Sequence, residues 1–380
     1  MAAATADELR IRAKRRKIII QVVLIGVSLL AVVGAVTTAR TNLEAQGLTS
    51  GFAFLERGTG WDYSFSMVPK DISDPYARTI FIGFLNTLFV GFIAIFLTTL
   101  FGFIIGTARD ASNIAVKTAA TVYIQTFRNI PLILQLVFLY AVLINLPGPR
   151  QAMSMGDALF LSNRGFMFPG LNVSSGVALT LLLVSLALGV LLIWRKMPLF
   201  TGLAAWIVGS VLICLVAAFA FRPEGEEMFS IPALQGLRFR GGITIPIELL
   251  GMIVAITLYG SAYIAEVVRG GLSQVPKGLT EAGQALGLTK AAIWSQIKMP
   301  MALRSIIPPL GNQWIFMMKA TTIGVAIGFS DLFYIVSISI TQSGQTLELI
   351  AILAGAFLLV NGSLAIFTNW LNARMKLKAH

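Results

Sequence analysis

The chain has 380 residues, of which 56% are hydrophobic and only 12% are charged, whereas an ordinary soluble domain carries about 25% charged residues. This composition excludes a soluble globular protein and indicates a membrane protein. The formal charge of +12 does not indicate a nucleic-acid partner, because the basic residues stand mainly at the ends of apolar runs, where membrane topology uses them. The single cysteine, Cys214, and the single histidine, His380, exclude intramolecular disulfides, cysteine-based metal clusters and a zinc site.

Eight apolar runs follow one another along the chain, and each is long enough to cross a bilayer core about 30 Å thick. They cover residues 18–39, 79–107, 126–146, 176–194, 199–221, 246–268, 305–329 and 347–370. Barrel strands are only about 9 to 11 residues long, so the runs predict helices. We therefore expect an all-α polytopic membrane protein with about eight transmembrane helices.

The basic residues are distributed unequally between the two sides that these helices would separate. If the N-terminal tail is cytoplasmic, the segments on its side hold 18 Lys and Arg residues and those on the opposite side hold 9. The positive-inside bias then places both termini in the cytoplasm. The first run has 22 positions, more than the 7 to 15 of a cleaved signal peptide, so we expect it to persist as a spanning helix.

The segment 269–304, on the basic side, contains two short helical patterns separated by a glycine. Pro276 is suited to the start of a helix and Gly287 to its end, after which Thr289 can cap a second helix that runs toward Pro300. The sequence therefore predicts a helix, a tight turn and a second helix. The pattern alone fits an amphipathic pair on the lipid surface as well as an element that docks onto a partner.

The same segment carries the signature of the EAA loop, which is E-A-A-x-x-x-G followed after nine residues by I-x-L-P. The residues that match it are Glu281, Ala282, Gly287, Ile297 and Pro300. Gly283 replaces the second alanine and Met299 replaces the leucine. The chain thus resembles the permeases of ABC importers. In that family the first helix of the loop sits in a groove of a separate ATPase subunit, which implies a coupling element at residues 276–287 that includes Pro276 and Thr280.

The resemblance extends to much of the chain from about Thr79 onward, and it is closest to permeases of the polar amino acid uptake family. The stretches that carry it are GFLNTLFV at 83–90, TFRNIPLILQLVFLY at 126–140, YGSAYIAEVVRGGLSQVPKG at 259–278 and PPLGNQWIFMMKATTIGVAIG at 308–328. Within that family, the eight-helix layout is similar to general L-amino acid system permeases. Ala320 departs from the commonest pattern, which has an acidic or amide residue after Lys319.

This resemblance implies the domain organisation. Residues 1–78 would form the N-terminal cytoplasmic tail, the first transmembrane helix and an outer loop. Residues 79–375 would adopt the type I ABC importer permease fold, with the cytoplasmic EAA loop at 270–300. The region 147–245 would be an insertion that carries two extra helices.

The resemblance also implies the partners and the location. A second homologous permease subunit, two copies of an ATPase subunit, a periplasmic amino-acid-binding protein, membrane lipid and an L-amino acid substrate would all meet this chain in the bacterial inner membrane. The sequence has no phosphate-binding motif G-x-x-x-x-G-K-S/T, so ATP and magnesium are expected on the ATPase and no cofactor is expected here. Since no nucleophile elbow or metal-ligand cluster occurs in the sequence, we expect no catalytic residue.

Polar residues inside the apolar runs are costly in a bilayer and are commonly functional, so they are candidates for the solute pathway. The candidates are Arg128, Asn129, Glu266, Asn312 and Lys319. In a regular helix at 305–329, Lys319 would lie about 21 Å from one end, where its ammonium could meet a substrate carboxylate or pair with Glu266. Alternatively, Arg128 could extend to lipid headgroups, and Glu266 could pair with Arg269 at the i, i+3 spacing.

Two further patterns concern the helices themselves. Pro308 and Pro309 are expected to disturb hydrogen bonding in their run, as in the broken helices around transport sites. Gly102 and Gly106 form a G-x-x-x-G motif that permits close helix packing. The alternative function is an autonomous ion-coupled secondary transporter, for which the expected inverted repeats are not seen in the sequence. A channel would require a recognisable filter, and none is seen either.

Overall fold

The computed structural model describes residues 6–45, 51–195, 197, 199–223, 225, 227–236 and 238–375. Twelve α-helices occur in this part of the chain. They are α1 (Ala6–Ala45), α2 (Tyr76–Arg109), α3 (Ile114–Asn129), α4 (Leu132–Ile144), α5 (Ser175–Trp194), α6 (Leu199–Ala220), α7 (Ile247–Ser273), α8 (Lys277–Ala285), α9 (Lys290–Ala292), α10 (Met299–Ala320), α11 (Leu332–Ser343) and α12 (Thr346–Met375). The terminal residues 1–5 and 376–380, which bear on the predicted cytoplasmic termini, lie outside the described residues.

Each of the eight predicted apolar runs is helical, which confirms a helical membrane protein. By length and composition, four helices are able to cross a membrane singly, namely α1, α2, α7 and α12. Two bent pairs raise the number of spans to as many as six among the described residues. These are α3 with α4, bent by 100°, and residues 290–327 with α11, bent by 49°. The apolar parts of the inserted helices α5 and α6 are shorter, at Gly176–Gly189 and Ala204–Ala220.

The predicted run 126–146 is not one regular helix, because α3 ends at Asn129. Ile130 adopts an extended conformation, as steric contact with a following proline favours, and Pro131 then precedes α4. The side-chain amide of Gln135 donates to the carbonyl oxygens of Phe127 and Ile130, both at 2.9 Å. These bonds satisfy backbone groups that the break would otherwise leave unpaired in an apolar medium.

The run 305–329 also differs from the expectation. Helix α10 continues through Pro308 and Pro309 without a break, held between α2, α7 and α12. The two prolines lack the N–H of a helix-interior hydrogen bond, but they do not break the helix. The helix changes instead to a 3-10 turn at Thr321–Ile327, which ends at Gly328 with a φ of 73°, before α11 begins.

Helices α2 and α7 form the centre of the bundle and run parallel to each other. Gly102 of α2 packs against Ile264, and Gly106 packs against Val268. A Cβ atom at Gly106 would lie 2.7 Å from the carbonyl oxygen of Ala265, so only glycine allows this approach. The close packing predicted from the G-x-x-x-G motif is confirmed. We call the two ends of the bundle the Tyr76 end and the Arg109 end, after the two ends of α2.

The described residues of the region 147–245 form eight short strands that the sequence analysis did not predict. They are β1 (Met153–Met155), β2 (Leu159–Ser162), β3 (Gly165–Phe168), β4 (Gly170–Leu171), β5 (Phe229–Ser230), β6 (Ala233–Gln235), β7 (Arg238–Arg240) and β8 (Ile243–Ile245). The antiparallel order is β1-β2-β3-β8, with separate pairs β4-β5 and β6-β7. Strands of two to four residues are too short for an alternating pattern to reveal.

Candidate coupling segment and solute pathway

We call residues 276–300, at the Arg109 end, the coupling segment. Helix α8 starts directly after Pro276 and ends at Ala285, two residues before Gly287, which has a φ of 75°. The N–H of Leu288 donates to the carbonyl of Gly283 at 3.1 Å, and the N–H of Gly287 donates to that of Gln284 at 2.9 Å. This pair of bonds is a Schellman motif, in which glycine accepts the left-handed conformation at least cost. The predicted helix stop at Gly287 is confirmed.

The second helix of the coupling segment begins where the sequence predicts. The side-chain oxygen of Thr289 accepts a hydrogen bond from the N–H of Ala292 at 3.2 Å. The helix does not stop at Pro300, however, because a π-helical turn at Ile293–Lys298 leads directly into α10. Pro300 stands in the first turn of α10, directly after this π-helical turn.

Gly283 explains how the two helices of the coupling segment pack. It is buried, and a Cβ atom there would lie 3.0 Å from Cδ1 of Ile297 and 3.1 Å from Cγ1 of Ile293. Glycine in place of the second alanine of the EAA pattern therefore lets α8 approach the following helix more closely. Thr280 donates its hydroxyl to the carbonyl of Lys277 at 2.7 Å, within α8 itself.

The remaining surface of α8 is open. Glu281 and Ala282 are exposed, and Leu286 is 80% exposed, although it is a large apolar side chain. Among the residues that the structure describes, Glu281 has no hydrogen-bond or salt-bridge partner. Both a carboxylate and a large apolar side chain of α8 are therefore accessible to another molecule.

Salt bridges connect the coupling segment and α7 to the end of α2. Lys298 pairs with Asp110, and Arg109 pairs with Glu266. Arg269 donates to the same Glu266 carboxylate from Nη2 at 2.6 Å and from Nε at 3.0 Å. The predicted i, i+3 pair is therefore confirmed, whereas the sequence analysis did not identify Arg109 as a partner.

The alternative pair of Lys319 with Glu266 does not form. Met317 packs against Gly260 and Ile306 against Gly271, so Lys319 lies level with residue 258 of α7. Glu266 is eight residues further along, or about 12 Å at 1.5 Å per residue. Within the described ranges, Lys319 has no salt-bridge partner, and its side chain is exposed.

Two of the pathway candidates share one face of α10. Asn312, Phe316 and Lys319 follow the i, i+4, i+7 spacing of a helix face, and all three are exposed. The ring of Phe316 lies 6.2 Å from that of Tyr259, which in turn lies 4.7 Å from that of Tyr263. A row of aromatic side chains thus connects this face of α10 to α7.

Arg128 and Asn129 adjoin the other end of this aromatic row. The guanidinium of Arg128 lies 5.1 Å from the centre of the Tyr263 ring, and its Nη1 is 3.9 Å from the nearer carboxylate oxygen of Glu266. An open cavity of 570 Å³ is lined by Gln125, Arg128, Asn129 and Tyr263. The structure therefore brings Arg128, Asn129, Asn312 and Lys319 onto one polar and aromatic surface, which we call the pathway surface.

Sequence reasoning missed the aromatic members of this surface and Gln125. Tyr259 and Tyr263 stand seven and three residues before Glu266, a helical spacing that the sequence itself shows. Gln125 lies three residues before Arg128 on the same helix. No group of three or more His, Cys, Asp or Glu side chains that would hold a metal ion occurs in the described part of the chain.

Comparison with known proteins gives a family match. Residues 186–377 match the model of the family described as binding-protein-dependent transport system inner membrane component. The chain is 38% identical over 344 residues to the putative amino-acid ABC transporter permease protein YhdX of Escherichia coli, with 88% of each chain covered. It is 34% identical over 344 residues to the general L-amino acid transport system permease protein AapQ of Rhizobium johnstonii, covering 88% of this chain and 86% of the relative.

Solved structures are similar at a lower level. A chain from the crystal structure of an amino acid ABC transporter with histidines aligns at 20% identity and a TM-score of 0.49. That alignment covers 79% of this chain and 95% of the other.

Proposed function

Because the chain belongs to the family of inner membrane components of binding-protein-dependent transport systems, we propose that it forms the membrane pathway of an importer for L-amino acids. It is an ABC transporter permease subunit and not an enzyme, and ATP is hydrolysed on a separate subunit. The observation that carries the substrate class is the 38% and 34% identity to relatives named for amino-acid transport, each over 88% of this chain. The family implies an ATPase and a binding protein as partners.

The finer assembly is part of the proposal. The pathway is formed with a second, homologous permease chain, two ATPase copies bind the complex, and a periplasmic binding protein delivers the amino acid. The Arg109 end is cytoplasmic, in the bacterial inner membrane, with both chain termini on the same side. The charge asymmetry of 18 to 9 Lys and Arg residues supports this orientation.

In this proposal the coupling segment is the contact with the ATPase. The open surface of α8, with Glu281 and the 80% exposed Leu286, supports a docked partner rather than a free helix. ATP binding draws two ATPase subunits together, and the coupling segments move with them. The salt bridges from Lys298 to Asp110 and from Arg109 to Glu266 pass that movement to α2 and α7, which changes access to the pathway surface.

Transport in liposomes tests the function directly. The chain is reconstituted with its ATPase, its second permease chain and its binding protein, and uptake of each of the 20 L-amino acids is measured with and without ATP. The proposal expects ATP-dependent uptake of one or more of them. Uptake that follows an imposed ion gradient and ignores ATP would instead identify the secondary transporter.

Cysteine labelling tests the orientation. In a Cys214→Ser background, single cysteines replace Glu56 at the Tyr76 end and Lys290 at the Arg109 end, both of which are exposed. An impermeant thiol reagent added to intact cells is expected to label position 56 and not position 290. Since the two sites are similarly exposed, the reverse labelling would invert the proposed topology.

A further inference from the structure

The charges around Glu266 do not balance. Three arginines, Arg109, Arg128 and Arg269, surround this one carboxylate, so the four side chains carry a formal charge of +2. Arg109 contacts one carboxylate oxygen closely, and Arg269 contacts the other with two donors. Arg128 reaches only to 3.9 Å, beyond hydrogen-bond distance. Arg128 therefore has the weakest contact with the shared carboxylate of the three arginines.

Arg128 is also short of hydrogen-bond acceptors. Among the described residues, no acceptor lies within hydrogen-bond distance of its guanidinium, which rests on the face of the Tyr263 ring. A guanidinium has five N–H donors in a fixed planar fork, which suits a carboxylate held in a bidentate manner. An arginine within a membrane domain is costly unless it faces water or an anion. The free edge of Arg128 is therefore suited to a bound anionic group.

The cavity beside Arg128 offers the complementary groups. The side-chain amides of Gln125 and Asn129 line it, are exposed, and make no hydrogen bond among the residues that the structure describes. Amide oxygens accept hydrogen bonds from an ammonium group, and the face of a tyrosine ring attracts one. The cavity volume of 570 Å³ lies within the range of about 300 to 1,000 Å³ that small-molecule sites occupy.

The neighbouring helices hold this cavity in place. The hydroxyl of Tyr123 donates to the carbonyl of Leu258 at 2.8 Å and lies 2.7 Å from the hydroxyl of Ser261, which ties α3 to α7. Gln135 fixes the chain just after α3 through its bonds to Phe127 and Ile130. Preorganised supports of this kind lower the cost of ordering a site when a ligand binds.

We propose that Arg128, Gln125, Asn129 and Tyr263 form a subsite for the main-chain groups of the transported amino acid. Arg128 binds the α-carboxylate, and the amide oxygens with the Tyr263 ring bind the α-ammonium. These four residues do not contact the side chain of the transported amino acid. This inference rests on the proposed function, because it names the part of an amino acid that the permease itself contacts. The phosphate of a lipid headgroup is the competing anion.

Direct binding to the purified complex tests the subsite. The permease pair with its ATPase, in detergent and without the binding protein, is titrated with four amino acids, L-glutamine, L-glutamate, L-leucine and L-arginine. Each is paired with the amine that lacks the α-carboxylate, namely 4-aminobutanamide, 4-aminobutyrate, 3-methylbutylamine and agmatine. We expect at least one amino acid to bind roughly 10- to 100-fold more tightly than its amine, the value of a charge-assisted hydrogen-bonded pair.

The variants assign that preference to Arg128. In Arg128→Gln the amino acid is expected to bind no more tightly than its amine, and Arg128→Lys is expected to retain part of the difference because a point charge remains. Arg109→Gln is the matched control. This substitution removes a partner of Glu266, and Arg109 does not line the cavity. The affinity for the amino acid and for its amine is expected to fall equally, so the preference for the ligand with the carboxylate stays.

Three results would overturn the subsite. The first is an unchanged preference of Arg128→Gln for the amino acid over its amine. The second is no binding of any of the four amino acids by the wild-type complex. The third is binding at Arg128 of phosphatidylglycerol from nanodiscs with which no amino acid competes. The proposed function fails separately, when the complete wild-type system takes up no amino acid into liposomes. Normal ATP-driven uptake together with any of the three results removes only the subsite.

Discussion

The two ends of the bundle are held in opposite ways. At the Tyr76 end, a segment at residues 61–68, here called the cover segment, is tied to the bundle through buried Asn86. The amide of Asn86 donates to the carbonyls of Phe65 at 3.0 Å and Ser330 at 2.7 Å, and its oxygen accepts from the N–H of Met67 at 3.1 Å. One fully buried side chain thus joins the cover segment to the break before α11.

Aromatic packing strengthens the same connection. The ring of Phe65 stacks between those of Phe89, at 6.0 Å, and Phe329, at 5.7 Å. The hydroxyl of Ser330 lies 2.9 Å from both the N–H and the carbonyl oxygen of Phe65. At the Tyr76 end, the backbone and the ring of Phe65 therefore find their partners within the chain.

The coupling segment at the Arg109 end shows the reverse. Helix α8 packs against residues 293–298 through Gly283 and leaves Glu281 and Leu286 exposed. The difference assigns two roles to the two ends of the bundle, stability at the Tyr76 end and contact with partner proteins at the Arg109 end. Substitutions at the cover segment are expected to change stability, whereas substitutions on α8 are expected to change the response to partner proteins with little effect on stability.

Asn86→Leu is expected to have the largest effect on stability. It removes three hydrogen bonds and leaves the carbonyl of Ser330 and the N–H of Met67 without partners, at a cost of about 3 kcal/mol in the free energy of unfolding. Denaturant titration of the purified chain measures this change. Thr98→Val is the control, because Thr98 is equally buried but bonds only within its own helix. A loss in Asn86→Leu no greater than in the control would contradict the account of the cover segment.

Glu281→Lys is expected to lower ATP-dependent uptake by about tenfold or more, with the unfolding free energy within about 0.5 kcal/mol of wild type. The reversed charge meets the partner and nothing within the chain. Co-purification of the ATPase, hydrolysis stimulated by loaded binding protein, and uptake are measured together. Lys117→Glu is the control, since Lys117 is equally exposed on α3 outside the coupling segment. Wild-type values of all three in Glu281→Lys would separate this loop from coupling.

The sequence could predict the contacts between residues that lie close together in the chain. Gly287, Thr289 and the Glu266–Arg269 pair were predictable because their partners lie within a few residues of them. The bond from Asn86 to Ser330 joins residues 244 apart, and the pair of Arg109 with Glu266 joins residues 157 apart. No periodicity in one sequence reveals such contacts. The pair of Lys319 with Glu266, which the sequence left open and which does not form, has the same origin. The α7 residue that lies opposite Lys319 depends on how α10 packs against α7.

The pathway surface was predictable only in part. Arg128, Asn129, Asn312 and Lys319 were found because polar residues stand out in apolar runs, whereas Tyr259 and Phe316 resemble the other aromatic residues of those runs. The contact between Arg128 and Tyr263 depends on the 100° bend at Pro131, because α3 ends there beside α7. A regular helix through that proline would carry the chain elsewhere.

The smallest expected effect compares one glycine from each end. Gly287 and Gly344 each follow a helix, have φ values of 75° and 72°, and have no atom within 4 Å of an added Cβ. Alanine at either position therefore adds the same backbone strain, about 1 kcal/mol, and no steric contact. Denaturant titration is expected to give equal losses of stability in the two variants.

Uptake is expected to distinguish what stability does not. Gly287→Ala alters the turn that presents α8 to the ATPase, so ATP-dependent uptake is expected to fall severalfold, by more than the lost stability explains. Gly344→Ala places equal strain at the Tyr76 end, between α11 and α12, and uptake is expected to stay near the wild-type level. Equal uptake in the two variants, after correction for the amount of assembled complex, would show that the turn at Gly287 serves only to end a helix.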